Sequence, residues 1–200
     1  MIKENTSAFS LDIPKIMVSF TFHFYNQHMK HPFEQFNYCP QCGASHFEIN
    51  DEKSKRCPLC GFVYYFNPAA ATVAFILNER NELLVCQRAK NPAKGTLDLP
   101  GGFSDLYENA EEGVAREVLE ETGLTVTDCE YCFSIPNRYL YSGFTVHTLD
   151  LFFRCRVKDL QPLQAMDDAA EVYFVPPSEI NPEDFGLESV RVGVKRFLKI

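Results

Sequence analysis

Three acidic side chains in one short stretch could hold a metal ion: Glu117, Glu120 and Glu121. In a helix, residues at i, i+3 and i+4 lie on one face. Like charges at these spacings repel each other by roughly 0.2–0.5 kcal/mol per pair. A hard divalent cation such as Mg²⁺ would offset that repulsion, and Arg116 could orient Glu120 from four residues away. The alternative is a solvated acidic face of an amphipathic helix, which is a common feature.

The residues around this stretch predict the helix that would position it. Asn109 can act as the N-cap, with Glu112 completing a capping box three residues later. Gly123 favours a left-handed stop after the last turn. At helical spacing, one arc is apolar and should face the core: Val114, Ala115, Val118 and Leu119.

A glycine turn directly before the helix adds a second chemical feature. Residues 99–102 read Leu-Pro-Gly-Gly, so the bare backbone of Gly101 and Gly102 can approach a phosphate closely. With this turn, residues 102–124 resemble the signature box of the Nudix family. The match covers each fixed position of the box: Gly102, Glu108, Arg116, Glu117, Glu120, Glu121 and Gly123, with Val118 and Leu124 at the aliphatic places.

The resemblance implies a fold and a chemistry. Nudix domains are α/β/α sandwiches around a mixed sheet, and members usually cleave a pyrophosphate bond in a nucleoside diphosphate linked to another moiety. It implies that Mg²⁺ or Mn²⁺ is bound by Glu117, Glu120 and Glu121, that Arg116 orients a carboxylate, and that Gly101 and Gly102 lie beside the phosphates. The general base is left open between Glu120, Glu121 and Glu171, a downstream glutamate.

Four cysteines form a second candidate metal site. Cys39 and Cys42 make a C-P-x-C-G knuckle, and Cys57 and Cys60 repeat it. Four thiolates on two tight turns suit tetrahedral Zn²⁺, whereas the alternative of two disulfides requires an oxidising compartment. We therefore predict a structural Cys₄ zinc ribbon over residues 36–66. A contact with nucleic acid or another partner is the second interpretation, based on Lys53, Lys55 and Arg56.

A zinc ribbon before a Nudix domain resembles the NADH pyrophosphatases and ribbon-bearing hydrolases of ADP-ribose or FAD. The Ser-Gln-Pro-Trp-Pro-Phe-Pro signature of the NADH enzymes is absent, because the chain has no Trp. The substrate therefore stays open among ADP-ribose, FAD, NADH and nucleotide sugars. Residues 138–144 are predicted to be a loop in which Arg138 meets a phosphate and aromatic side chains stack on a base. Alternatively, those aromatics cover the sheet or form a homodimer interface.

The remaining apolar runs predict the elements of the Nudix domain, residues 69–200. Strands are expected at 70–77, 82–87, 96–99, 125–135, 144–157 and 170–175, with a hairpin-like link across 78–81 and a final helix at 187–198. Residues 1–28 fit neither unit, so we expect a disordered tail or an extension from a misassigned start.

Composition sets further limits. The net charge of −8 disfavours a broad nucleic-acid surface, and a small nucleotide is the expected partner. No apolar run reaches the length of about 18 residues needed to span a membrane, and no export signal is evident, so a cytoplasmic location is expected. One alternative belongs to another function class, a Nudix-like regulatory or binding module. A third possibility is an enzyme that removes a nucleotide cap from RNA, against which the acidic net charge argues. Binding-only members often lose box glutamates, whereas this chain retains Glu117, Glu120 and Glu121, which favours the enzyme.

Overall fold

The structure, a computed structural model, describes residues 31–167 and 169–199. The extension predicted over residues 1–28 lies outside them. The first elements form a small antiparallel sheet of β1 (Glu48–Asp51), β2 (Ser54–Arg56) and β3 (Val63–Tyr65). Its core is also small, since Phe47 packs there against the buried thiols of Cys39 and Cys57. A unit with so little apolar burial depends on another source of stability.

The rest of the described chain forms two sheets and two α-helices. In chain order these are β4 (Ala69–Ile76), β5 (Leu83–Arg88), β6 (Leu97–Asp98), α1 (Ala110–Thr122), β7 (Val126–Tyr141), β8 (Phe144–Val157), β9 (Ala169–Val175) and α2 (Glu188–Leu198). One sheet is mixed, with β8 parallel to β4 and antiparallel to β7. The other is antiparallel, in the order β6-β5-β9.

The two helices cover opposite sides of these sheets. Because successive strand residues point to opposite faces, β4 supplies Phe75 to the cluster that contains Val194 of α2. It supplies Ile76 to the cluster that contains Val118 of α1. The predicted α/β/α arrangement with a mixed sheet is confirmed.

Helix α1 has the caps that the sequence predicts. The Asn109 side chain accepts from the Glu112 amide, the Glu112 carboxylate accepts from the Asn109 amide, and Gly123 is left-handed with φ of 73°. The core arc is partly wrong. Val114 and Val118 are buried, but Leu119 is 49% exposed, because the buried stripe continues through Thr122 at i+8 and turns Leu119 towards solvent.

The link between β4 and β5 is a tight turn that does not make a paired hairpin. Leu77 and Leu83 form an isolated bridge, and the Asn78 amide donates to the Glu82 carbonyl. Beyond this point the strands separate: β4 joins the mixed sheet and β5 the antiparallel one. Their divergence leaves space for a cavity between the two sheets.

The loop predicted over residues 138–144 is wrong. Strands β7 and β8 stay paired as far as Tyr141 and Phe144, joined by Ser142 and Gly143 with φ of 49° and 74°. Two consecutive positive φ angles match a type I′ turn, which suits the twist of a hairpin. Pro136 does not break β7, because β7 is an edge strand and needs no partner on its outer side.

Candidate active site and cysteine centre

Arg116 organises the acidic face of α1. One of its terminal nitrogens donates both to Glu117 at 2.9 Å and to Glu120 at 3.0 Å. Its other nitrogens donate to Glu108 at 2.7 and 3.0 Å and to the Phe103 carbonyl at 3.0 Å. Hydrogen bonds from Arg116 lower the pKa of Glu108 to about 2. The predicted orienting role of Arg116 thus extends to three carboxylates.

Glu117 is the most enclosed of the three predicted metal ligands. Burial raises the pKa of its carboxyl group, and the hydrogen bond from Arg116 opposes that rise. The carboxylate lies directly against Gly102, where an added Cβ would come within 2.6 Å of it. A side chain at position 102 would therefore displace Glu117.

Glu121 lies on the same face but faces the glycine turn. Its carboxylate accepts a hydrogen bond from the Gly101 amide at 3.0 Å. Gly101 has φ of 152°, and a Cβ there would meet the Thr72 carbonyl oxygen at 2.1 Å. The turn can pass between α1 and β4 only because position 101 has no side chain.

The three glutamates are neighbours without forming a closed cage. Among the described residues, the four cysteines are the group whose ligand atoms lie within reach of one ion. Glu117 and Glu120 are held by Arg116, and Glu121 by Gly101. The donor set still fits a hard cation, because all three side chains offer carboxylate oxygens. Each of these contacts uses one oxygen of its carboxylate.

A cavity of about 170 Å³ adjoins this turn. Its mouth is formed by Gly101, Gly102, Phe103 and Glu121, and its interior carries polar groups from both sheets. The half-buried Arg88 side chain and the buried Asp98 side chain form an ion pair there. Burial raises the pKa of Asp98, and Arg88 opposes that rise.

Two other predicted residues lie away from this cavity. Glu171 is exposed on β9, paired with Gln87 of β5, and lines a separate surface depression. Arg138 is exposed on β7, whereas its neighbours Asn137 and Tyr139 line the cavity. Strand alternation explains this, because residues 137 and 139 share the face that residue 138 does not.

Sequence reasoning missed the polar interior of the cavity. Asp98, Asn137 and Asp150 are all at most 8% exposed and line it. A signal was available for Asp150, which interrupts the apolar run of residues 144–153 with a charge on an inward position of the strand. Acidic residues are almost never fully buried unless they are paired or hydrogen-bonded.

The four cysteines of the small sheet converge as predicted. The sulfurs of Cys39 and Cys60 are 3.7 Å apart, as are those of Cys42 and Cys57. A tetrahedral ion with Zn–S bonds of about 2.3 Å requires sulfur separations of about 3.8 Å, whereas a disulfide bond is about 2.05 Å long. All four thiols are free. The backbone amide of Cys60 lowers the pKa of Cys57 to about 7, whereas the neighbouring thiols raise the pKa of Cys42.

The cysteine centre is joined to the β7–β8 hairpin by aromatic contacts. Phe144 lies 5.4 Å from Phe36 and 6.2 Å from Phe66, ring centre to ring centre. The Gln35 amide also donates to the Gly143 carbonyl at 3.0 Å. Lys55, one of the predicted cations of a nucleic-acid surface, is only 5% exposed and donates to the Phe36 carbonyl.

Comparison with known proteins identifies the larger unit. The sequence profile of the NUDIX domain matches residues 67–193. The chain belongs to the NUDIX family. A crystal structure of a NUDIX hydrolase from Nitrosomonas europaea superposes with a TM-score of 0.65 at 26% identity, covering 82% of this chain and 90% of that one.

Two curated relatives indicate the activities found among similar NUDIX proteins. The ADP-ribose pyrophosphatase of Methanocaldococcus jannaschii is 38% identical over 112 residues, which are 55% of this chain and 63% of the relative. The NAD-capped RNA hydrolase NudC of Vibrio parahaemolyticus is 31% identical over 106 residues, 53% of this chain and 40% of the relative. The NUDIX chain thus spans less than two thirds of either relative.

None of the helices in the described parts of this NUDIX protein is long and apolar enough to cross a membrane.

Proposed function

We propose that this NUDIX protein is a hydrolase that cleaves the pyrophosphate bond of a nucleoside diphosphate linked to another moiety, as in ADP-ribose. The observation that carries the proposal is the position of Glu121. Its carboxylate accepts a hydrogen bond from the Gly101 amide at the mouth of a cavity that adjoins the box. A carboxylate, a bare glycine turn and a cavity then meet at one point.

Each box residue has a role that follows from its contacts. Glu117, Glu120 and Glu121 are the proposed ligands of Mg²⁺ or Mn²⁺, which, when bound, neutralises phosphate charge and lowers the pKa of water. Arg116 holds Glu117 and Glu120 in place until the ion arrives. The glycine turn leaves room for the diphosphate beside these carboxylates.

The proton acceptor is proposed to be Glu120 or Glu121. General bases must lie within hydrogen-bond reach of the proton that they take. Glu121 borders the cavity and Glu120 lies one position before it, whereas Glu171 lines a different depression. Glu171 would need a movement of β9 or of the loop before it to act.

For the small sheet we propose a structural Zn²⁺ held by Cys39, Cys42, Cys57 and Cys60. The sulfur separations support it, and a site closed by four thiolates has no position left for a substrate. A small-molecule substrate and a cytoplasmic location are further parts of the proposal.

A second candidate is hydrolysis of a nucleotide cap on RNA. The similarity to NAD-capped RNA hydrolases favours it. The burial of Lys55 weakens the predicted nucleic-acid surface on the ribbon, because a buried lysine cannot contact a phosphate backbone.

A hydrolysis panel with Mg²⁺ or Mn²⁺ tests the proposal. The substrates are ADP-ribose, FAD, NADH, a nucleotide sugar and NAD-capped RNA. Wild type should clear at least one, Glu121→Gln should spare it, and Glu111→Gln, on the exposed side of the same helix, should behave as wild type. Survival of every compound, with metal bound and the fold intact, would overturn the proposal in favour of a binding module.

A further inference from the structure

The deep end of the cavity is built around one buried carboxylate. Asp150 of β8 is 4% exposed. One of its oxygens accepts from the Thr148 hydroxyl, and the other accepts from the Ser189 hydroxyl of α2. An ionised carboxylate has about four acceptor positions, so two positions remain for hydrogen bonds from a ligand.

The charge of the lining opposes a phosphate at this end. Apart from Glu121 at the mouth, the Asp, Glu, Lys and Arg side chains that line the cavity are Asp98, Asp150 and Arg88. The basic one, Arg88, is already paired with Asp98. Asp150 therefore adds a negative charge that no described cation neutralises through a salt bridge, and in a partly enclosed space like charges repel strongly.

The size of the cavity limits what can enter. Pockets for drug-sized ligands measure about 300–1,000 Å³, whereas this one measures about 170 Å³. It can hold a single ring but not two nucleosides. Its apolar wall, which includes Val73, Leu99 and Val190, suits the faces of such a ring.

Further polar groups surround the same space. Asn137 and Tyr139 line the cavity from β7. Thr72 also lines it, and the Thr72 hydroxyl is buried without a hydrogen-bond partner among the described residues.

We propose that the deep end of the cavity binds one neutral ring whose hydroxyl or amino groups donate to Asp150. Asp150 thereby favours a substrate that places an uncharged ring, and not a further phosphate, at this end of the cavity. The inference rests on the proposed function, because it places the diphosphate at the mouth beside Glu121. Thr148 and Ser189 act as positioning residues that fix the carboxylate.

Binding tests the inference independently of hydrolysis. AMP and ribose 5-phosphate have no pyrophosphate bond, so their affinities can be measured by calorimetry on the active protein. Asp150→Asn should weaken the binding of at least one of them about tenfold, since it removes hydrogen bonds to a charged acceptor. Inorganic pyrophosphate should bind with unchanged affinity. Unchanged affinity for both nucleotide fragments would overturn the inference.

The same measurement identifies the ring. If Asp150 accepts from a base amino group, the variant weakens AMP binding but not that of IMP, which lacks this group. If it accepts from pentose hydroxyls, AMP, IMP and ribose 5-phosphate all weaken together. Asp159→Asn, an exposed carboxylate outside the cavity, is the matched control and should bind all ligands as wild type does.

Kinetics provide the second test. With ADP-ribose, Asp150→Asn should raise KM about tenfold with kcat within about twofold. An unchanged KM would contradict the role of Asp150. If wild type does not hydrolyse ADP-ribose, the same KM comparison is made with the substrate that the panel identifies. If the panel identifies none, the proposed function fails while the binding test still decides this inference.

Asn can accept from one hydroxyl and donate to the other, so the variant should keep the local packing. If Asp150→Asn nevertheless fails to fold, Ser189→Ala replaces it. This variant leaves the carboxylate in place but releases one oxygen, and it should raise KM for ADP-ribose about threefold at constant kcat. An unchanged KM in that folded variant would overturn the inference.

Discussion

The two candidate metal sites of this protein differ in how far the chain has formed them. The four cysteine sulfurs are already at tetrahedral separations, 3.7 Å within each of two pairs. The three glutamates of α1 are neighbours, but Arg116 and Gly101 occupy their oxygens. In one site the ligand atoms already lie within reach of one another, and the other site lies open beside a cavity.

The difference follows from the elements that carry the ligands. Each cysteine pair lies on a tight turn ended by a left-handed glycine, Gly43 or Gly61, so the backbone alone fixes the sulfurs. The glutamates lie on a helix, where their long side chains need a partner to stay in place. Arg116 supplies that partner as a cation. Product must leave a catalytic ion in every cycle. A site whose ligand side chains keep their positions without the ion therefore suits repeated turnover.

Removing a box carboxylate should separate the two sites most clearly. Glu120→Gln and Glu121→Gln should each lower kcat about 10²–10⁴-fold, because each variant removes a proposed ligand or base. Zinc content and the melting temperature should stay as in wild type. Rates near wild type in both variants would contradict the assignment of the site.

Removing a cysteine should have the opposite effect, a loss of zinc and of thermal stability. Cys57→Ser should lower the zinc content and the melting temperature, because metal binding and folding are coupled in small metal sites. The control is Cys132→Ser, on β7 away from the centre, which should keep its zinc. An unchanged zinc stoichiometry in Cys57→Ser would refute the role of Cys57 as a ligand.

Replacing the organising cation should affect stability and activity together. Arg116→Lys keeps the charge but cannot bridge three glutamates, because lysine lacks the planar fork of arginine. We expect a loss of roughly 1–3 kcal/mol in the free energy of unfolding, measured by urea denaturation, together with lower activity at limiting Mg²⁺. Wild-type stability and metal dependence would show that Arg116 does not organise the carboxylates.

The smallest effect should depend on pH. Hydrogen bonds from Arg116 lower the pKa of Glu108 from 4.5 to about 2, so this group stabilises the fold above pH 4.5 and loses its effect as the pH falls to about 2. Glu108→Gln should therefore have a lower melting temperature than wild type at pH 7, and the difference between the two melting temperatures should shrink as the pH falls from 4.5 to about 2. For the exposed Glu79→Gln, the difference in melting temperature from wild type should not change with pH. If the melting-temperature difference between Glu108→Gln and wild type did not change with pH, that result would contradict a stabilising ion pair between Glu108 and Arg116.

The sequence predicted the elements whose signals are local. The capping box of Asn109 and Glu112, the stop at Gly123 and the two cysteine knuckles each depend on a few adjacent residues, and the structure has all of them. The loop predicted at 138–144 was wrong because the type I′ turn at Ser142 and Gly143 was not recognised. Leu119 was wrongly predicted to face the core. Helical periodicity predicts which residues share a face of α1, but it does not predict which residues at the edge of that face contact the sheet.

The candidate site was predictable only at its entrance. The box residues are close in sequence, so their spacing predicted that Glu117, Glu120 and Glu121 share a face. The interior of the cavity brings together Asp98 of β6, Asn137 of β7 and Asp150 of β8. This grouping depends on the order of the strands and on the separation of β4 from β5. The spacing of residues along the chain predicts neither.

Selective metal removal followed by an assay tests the central contrast most directly. Protein treated with a mild chelator is analysed for zinc and assayed for ADP-ribose hydrolysis before and after Mg²⁺ or Mn²⁺ is added back. The account predicts that zinc stays bound, that activity is lost, and that adding Mg²⁺ or Mn²⁺ restores it. Activity that persists without added metal, or that falls and returns only with zinc, would contradict the assignment of a closed structural site and an open catalytic one.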